Sequence, residues 1–287
     1  MNKNNDYENN YKQTKNKNTK KGLFHFIKKV NDEKEEEVLL CEKMNFTGKE
    51  AYKMLRTNLM FTLADNKNCR KVGVTSSTRG EGKSTISINL AYTLASANSK
   101  VLLIDMDMRL PSIAKKLDLD YKEGLSDYLA NKAKKSSIIH SLPKYKNLDI
   151  LLSGTIPPNP SELIGSESLA KFIKSLESVY DYIIFDLPPV NIVTDALVAK
   201  DLMDGQIIVV REGYSDKYSL ASCIRRLQFV ETNILGFVYT NAGTSPAYYN
   251  KHPRYYRYRN TNKKYNYNKG YTGYNKNGYY YKETYYK

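Results

Sequence analysis

The 287-residue chain has only three cysteines, Cys41, Cys69 and Cys223, and no two of them form a CxxC pair. That spacing excludes a disulfide framework and a cysteine-based zinc site, and it fits a reducing compartment. Histidine is equally sparse, with His25, His140 and His252 far apart in sequence. No run of 18 or more apolar residues occurs, so no membrane-spanning helix is expected. The charged N-terminus lacks the long apolar core of a secretory signal. Residues 245–287 contain no Leu, Ile or Val. Such a segment cannot bury enough apolar surface to offset the entropy of ordering and reads as flexible.

What is present is unevenly spread. Of the net charge of +15, residues 251–287 hold +9, from ten Lys or Arg against the single acid Glu283. Residues 1–40 add +2, which leaves an ordinary +4 for residues 41–250. The basic pI of about 9.4 therefore belongs mostly to the tail. The length suits one large domain with appendages. We divide the chain into a flexible arm over 1–40, a folded domain over 41–244 and a disordered, tyrosine-rich basic tail over 245–287. Within the arm, Gly22–Val30 has the pattern of a short amphipathic turn before the acidic run Asp32–Glu37. Both a solvated arm and a membrane-surface or partner contact fit it.

From residue 50 onward the periodicity changes. Apolar residues at helical spacing predict a helix over Glu50–Ala64. Strands are predicted over Lys71–Ser76, Val101–Asp105, Leu148–Leu152, Tyr182–Asp186, Gln206–Val210 and Ile234–Thr240. Helices are predicted over Ser84–Ala97, Ser161–Leu176, Val193–Asp201 and Asp216–Val230, with two short helical pieces between Asp105 and Leu148. Runs such as VLLI, YIIF and QIIVV are apolar without alternation, as strands covered on both faces are. The expected class is α/β, three-layered, with a mostly parallel sheet.

Lys71–Leu90, KVGVTSSTRGEGKSTISINL, is a strand, a small-residue loop and a helix start. Gly80 and Gly82 allow close backbone approach, and the amides of Thr78, Arg79, Gly80, Glu81, Gly82 and Thr85 are candidates to cradle phosphates at a helix N-terminus. Lys83 is placed to meet the β- and γ-phosphates and the Ser84 hydroxyl to ligate Mg²⁺. Ser77 stands where the GxxxxGK[ST] pattern has its first glycine. Two apolar strands end in carboxylates, Asp105 with Asp107 and then Asp186, at the strand ends where open α/β sheets bind ligands. We assign Lys83, Asp105, Asp107 and Asp186 as catalytic, and Ser84, Asp105 and Asp186 as metal ligands. The expected cofactors are ATP and Mg²⁺. A helix cap or turn former is the competing reading of any one of these aspartates.

These motifs together resemble the bacterial tyrosine kinases (BY-kinases) of capsule and exopolysaccharide systems. The resemblance rests on Asp105-x-Asp107-x-Arg109-x-Pro111, Asp186 followed by Pro188-Pro189, Gly154 with Pro157-Pro-Asn-Pro-Ser-Glu-Leu163, and Gly124-Leu-Ser-Asp-Tyr-Leu129. It spans about residues 45–243. It implies a P-loop NTPase fold and autophosphorylation in trans within a homo-oligomeric ring. It also implies control of polysaccharide synthesis and export, and a separate membrane-embedded co-polymerase adaptor that recruits a cytoplasmic chain to the inner membrane face. The family's Glu-x-x-Arg-x-x-Arg ring motif reads here as Glu50, Lys53 and Arg56, with Lys53 lacking the planar fork of arginine.

Fourteen of the 26 tyrosines lie in residues 248–287. By the resemblance this cluster is the phosphoryl acceptor, with Tyr271, Tyr274, Tyr279, Tyr280, Tyr281, Tyr285 and Tyr286 as candidates. A flexible 40-residue chain spans about 35 Å, enough to reach a neighbouring site. Five or six phosphotyrosines, at about −1.5 to −2 each, would carry the tail's positive charge through neutrality. Two other readings stay open. One is a partitioning-type P-loop ATPase acting as a nucleotide switch. The other is a nucleic-acid contact through interleaved Tyr, Lys and Arg, which is not expected as the main role.

Overall fold

A computed structural model describes residues 44–64, 69–142 and 145–242. The arm, the tail and all the candidate acceptor tyrosines lie outside the described residues.

The described chain is α/β with a seven-stranded sheet. Helix α1 (Phe46–Thr62) precedes β1 (Arg70–Ser76), α2 (Lys83–Ala95) and β2 (Val101–Asp105). Three short helices follow, α3 (Ile113–Lys116), α4 (Leu125–Leu129) and α5 (Lys135–Ile138), then β3 (Ile139–Ser141) and β4 (Leu148–Leu151). Next come α6 (Pro160–Ile164), α7 (Glu167–Lys174), β5 (Tyr182–Asp186) and α8 (Asp195–Val198), which runs into a 3₁₀ turn at Ala199–Leu202. The last elements are β6 (Gly205–Arg211), α9 (Lys217–Phe229) and β7 (Ile234–Thr240).

Strand order is β3-β4-β2-β5-β1-β6-β7. Every neighbouring pair is parallel except β3 with β4. The unbroken apolar runs have their expected consequence, since every residue of β2 and of β5 is buried. Alternate side chains feed two cores. Val72, Val74, Leu103 and Ile184 pack with Ile86, Leu90 and Leu94 of α2 and with Leu59 of α1. Leu102, Ile104, Ile183 and Phe185 pack on the other face with Phe172 and Ile173 of α7 and Leu227 of α9. Each fully buried large side chain in these layers contributes about 1.5–3 kcal/mol.

Some boundaries differ from the sequence reading. The helix predicted over Ser161–Leu176 is two helices, because Ser166 caps α7 by accepting the Leu169 N–H at 3.2 Å. Helix α1 starts earlier than Glu50, at Phe46, because the Asn45 side chain accepts the Gly48 N–H at 2.9 Å. Three short helices, not two, separate β2 from β4, and the edge strand β3 was not expected.

Candidate functional site

β1, β5 and β2 are adjacent and parallel, so their C-terminal ends share one edge of the sheet. The register sets Asp105 opposite Asp186 and Val74 opposite Asp186. The loop from Ser77 to Gly82 follows β1 and turns into α2. Gly80 and Gly82 take φ of +80° and +97°, where a Cβ would strain the backbone. Gly82 occupies the N-cap of α2 without a capping side chain, so the first-turn N–H groups of this 13-residue helix have no side-chain partner at the cap. A cleft of about 430 Å³ opens there, lined among others by Gly82, Lys83, Ser84, Asp107 and Arg109.

Lys83 sits at the centre. Its Nζ lies 2.9 Å from Asp107 Oδ2 and 3.6 Å from Asp186 Oδ2. Burial acts to lower its pKa, but the fields of Asp186 and Asp107 outweigh that and raise it. The ammonium is therefore fixed as a cation at the helix head. Asp186 is fully buried, and its Oδ1 accepts from Ser87 Oγ at 3.1 Å. Burial raises its pKa, and outweighs the lowering by the Lys83 ammonium and the serine hydrogen bonds. Asp105 is also fully buried, and burial followed by Asp186 pushes it up to about 7.

Asp105 and Asp186 both stand behind the cleft rather than in its lining. Asp105 Oδ2 accepts from Ser112 N at 3.2 Å and Ile113 N at 3.1 Å, at the head of α3. Asp107, which lines the cleft, accepts the Leu110 N–H through Oδ1 at 3.1 Å. Ser84 Oγ accepts from Ser112 Oγ at 2.8 Å and also borders the cleft. The structure thus gathers Lys83, Ser84, Asp105, Asp107 and Asp186 at one place.

Among the described residues, no group of three or more His, Cys, Asp or Glu could hold a metal ion by itself. The residues do fit a cation of the magnesium type, which takes one or two protein oxygens and completes its shell with water and phosphate. Asp186 Oδ2 is buried and makes no hydrogen bond, its charged neighbour Lys83 Nζ standing 3.6 Å away. An unsatisfied buried carboxylate oxygen of that kind is what a bound ion or water would satisfy.

The remaining sequence candidates fall in different places. Arg79, Gly80 and Thr85 line the cleft. The Thr78 N–H and the Glu81 carboxylate are turned to each other, at 2.8 Å, inside the loop. Glu50, Lys53 and Arg56 lie on α1, apart from the cleft. Glu50 and Lys53 form an exposed pair at 2.7 Å, while Arg56 Nη1 donates to the Thr93 carbonyl of α2 at 3.2 Å.

Sequence reasoning missed a second constellation. Arg109 donates through Nε to Asp195 Oδ2 at 2.9 Å and through Nη2 to Asp195 Oδ1 at 3.2 Å and Ser161 Oγ at 3.0 Å. Ser161 Oγ in turn donates to Asp195 Oδ1 at 2.6 Å. The fully buried Asp195 thereby ties the Asp-x-Asp-x-Arg-x-Pro segment to the Pro-Asn-Pro-Ser stretch. Arg109 and Ser161 were visible as motif residues. Asp195 was not, because its partner is 86 positions away.

Comparison with known proteins follows this geometry. The family model described as an AAA domain matches residues 69–235. The tyrosine-protein kinase YwqD of Bacillus subtilis is 35% identical over 189 residues, covering 66% of this chain and 79% of that one. The kinase domain of the Escherichia coli tyrosine kinase ETK superposes with a TM-score of 0.64 at 31% identity, over 68% of this chain and 78% of that one. The septum site-determining protein MinD of Pyrococcus horikoshii, solved with Mg-ADP, gives a TM-score of 0.53 at 27% identity, over 63% and 76% of the two chains.

Proposed function

Because this chain belongs to the bacterial tyrosine-protein kinase family, we propose that it transfers the γ-phosphoryl group of ATP to tyrosines of its own C-terminal segment. The observation that carries the reading is the position of Lys83 Nζ, held between Asp107 and Asp186 at the head of α2. An ammonium there balances charge on the transferring group while the loop amides hold the phosphates. Asp107, the carboxylate in the cleft lining, takes the proton from the incoming phenol. Asp105 fixes the head of α3, and with it Ser112, against Ser84. Arg109, clamped by Asp195, holds the strand-end segment that presents Asp107.

Ser84, Asp105 and Asp186 would hold Mg²⁺, which when bound supplies neutralisation of phosphate charge. The family supports a role in capsular or extracellular polysaccharide production, a folded domain over 41–244 and a homo-oligomeric ring engaging Glu50, Lys53 and Arg56. It also supports a separate membrane-embedded adaptor that brings the cytoplasmic chain to the membrane. No helix among the described residues is long and apolar enough to cross a membrane.

The likeness to MinD favours a second reading, a nucleotide switch without tyrosine transfer. Incubation with γ-labelled ATP and Mg²⁺ separates the two. Label retained on tyrosines of residues 248–287 is expected of the kinase. Labelled free phosphate with an unlabelled chain would mean the switch.

A further inference from the structure

Glu81 lies in the middle of the phosphate loop, yet its carboxylate is 1% exposed and faces the inside of the loop. Three donors converge on its two oxygens, the single Ser77 O–H lying within reach of both. Ser77 Oγ donates to Oε1 at 2.8 Å and to Oε2 at 3.0 Å, the Thr78 N–H donates to Oε2 at 2.8 Å, and Ser215 Oγ donates to Oε1. The neighbouring backbone is tied from outside as well. The Gly80 carbonyl accepts from Arg211 Nη1 at 2.9 Å, and the Glu81 carbonyl accepts from Thr240 Oγ1 at 3.0 Å. The loop is thus held to the ends of β6 and β7 and to the start of α9, through the two residues that precede Gly82.

A carboxylate inside an anion-binding loop is at first sight misplaced. Its field opposes a bound phosphate, and it occupies the Thr78 amide that a phosphate oxygen would otherwise use. A conformational role resolves this. Ser77 stands where the usual pattern has glycine, and its hydroxyl supplies a donor that glycine would lack. Charge-assisted bonds from Ser77, Thr78 and Ser215 are stronger than neutral ones, and losing their common acceptor strands the buried Ser77 hydroxyl and the part-buried Thr78 N–H and Ser215 hydroxyl.

We infer that Glu81, gripped by Ser77 and Ser215, is a positioning residue that sets the backbone of the phosphate loop from within. The inference rests on the reading of this loop as an ATP site. Two physical effects predict opposite signs. If the carboxylate acted mainly through its charge, removing it would tighten nucleotide binding. If it acts by shaping the loop, removal weakens binding, because amides displaced by even about 1 Å forfeit much of their interaction with the phosphates.

The test is calorimetric titration of the full chain with Mg·ADP, alongside the melting midpoint. Glu81→Ala is expected to weaken binding by about tenfold or more, and Ser215→Ala by about threefold with an unchanged midpoint. Glu81→Gln is expected to recover most of the affinity, since its amide oxygen still accepts the Thr78 N–H. Adding Ser215→Ala to Glu81→Ala should bring little further loss, because the two act through one contact.

Tighter or unchanged binding in a folded Glu81→Ala chain overturns the inference. If that variant does not fold, Ser215→Ala decides. Wild-type affinity there overturns the inference, and weakened binding at the wild-type midpoint supports it. A wild-type chain that binds no Mg·ADP would remove the ATP reading itself, and this inference with it.

Discussion

Replacing Asp105 by Asn should make the nucleotide-free protein more stable at alkaline pH while impairing its activity. The folded-state pKa of Asp105 is raised from the ordinary 3.8 to about 7 by burial and by Asp186. A group with a raised folded pKa holds its proton more tightly in the folded chain. Its ionisation therefore removes stability as pH rises from about 4 to about 7, and below pH 4 the penalty is absent. At about 1.4 kcal/mol per pKa unit, the penalty is about 2 kcal/mol at pH 5.5 and about 4 kcal/mol at pH 8.5. Asn escapes that penalty. It keeps the Ser112 and Ile113 bonds through its oxygen and gives up the long contact from Asp107 N at 3.3 Å. That loss is about 1 kcal/mol and independent of pH. The stability difference between variant and wild type should thus grow by about 2 kcal/mol from pH 5.5 to 8.5, which moves the urea midpoint by about 1 M for m of about 2 kcal/mol/M. Urea unfolding of both proteins at both pH values measures it. A difference that stays constant with pH, or shrinks as pH rises, would refute the electrostatic account of the buried carboxylate pair.

Other perturbations have equally definite outcomes. Gly124→Ala puts a Cβ 2.3 Å from both Gly154 N and the Leu152 carbonyl, and both are backbone. The melting temperature should fall, by at least the roughly 1–3 kcal/mol of an overpacked core, with the ATP site unaltered in chemistry. Asp195→Ala leaves Arg109 and Ser161 without their acceptor. Phosphoryl transfer, followed by label incorporation, should drop at least about tenfold, and stability should fall by only about 1–2 kcal/mol, because Arg109 is 39% exposed and water can reach it once its partner is gone. The unmodified chain should bind anionic vesicles more strongly than neutral ones through its basic tail, and binding should weaken with each phosphate added. Co-sedimentation against phosphate count checks this, and no dependence on count would reject it.

The sheet was legible because apolar runs such as Val101–Ile104 and Tyr182–Phe185 admit few alternatives to strands buried on both faces. β3 was not legible. Ile139–Ser141 is three residues long, pairs only with β4 at the sheet edge and carries no periodicity. The break at Gly165–Ser166 was masked by helical spacing on both sides, and only the serine cap reveals it. Within the site, Lys83 and the strand-end aspartates could be placed together because each follows a strand whose position in the sheet the pattern implied. Side-chain direction could not be read in that way. Asp107, two residues beyond β2, faces the cleft, whereas Asp105, the last residue of β2, turns to α3. Glu81 points inward because Ser77 and Ser215 wait there, and Ser215 is 134 residues distant. Asp195 escaped for the same reason, since long-range polar partners leave no local signature.

The central claim, that the cleft around Lys83 phosphorylates this chain's own tyrosines, is tested most directly by phosphosite mapping. Wild-type protein and Lys83→Met would be incubated side by side with Mg²⁺ and ATP. Phosphate on several tyrosines of residues 248–287 in the wild type, and almost none in Lys83→Met, is the predicted result. Equal modification of the two proteins, or a wild type bearing no phosphotyrosine while it consumes ATP, would contradict it.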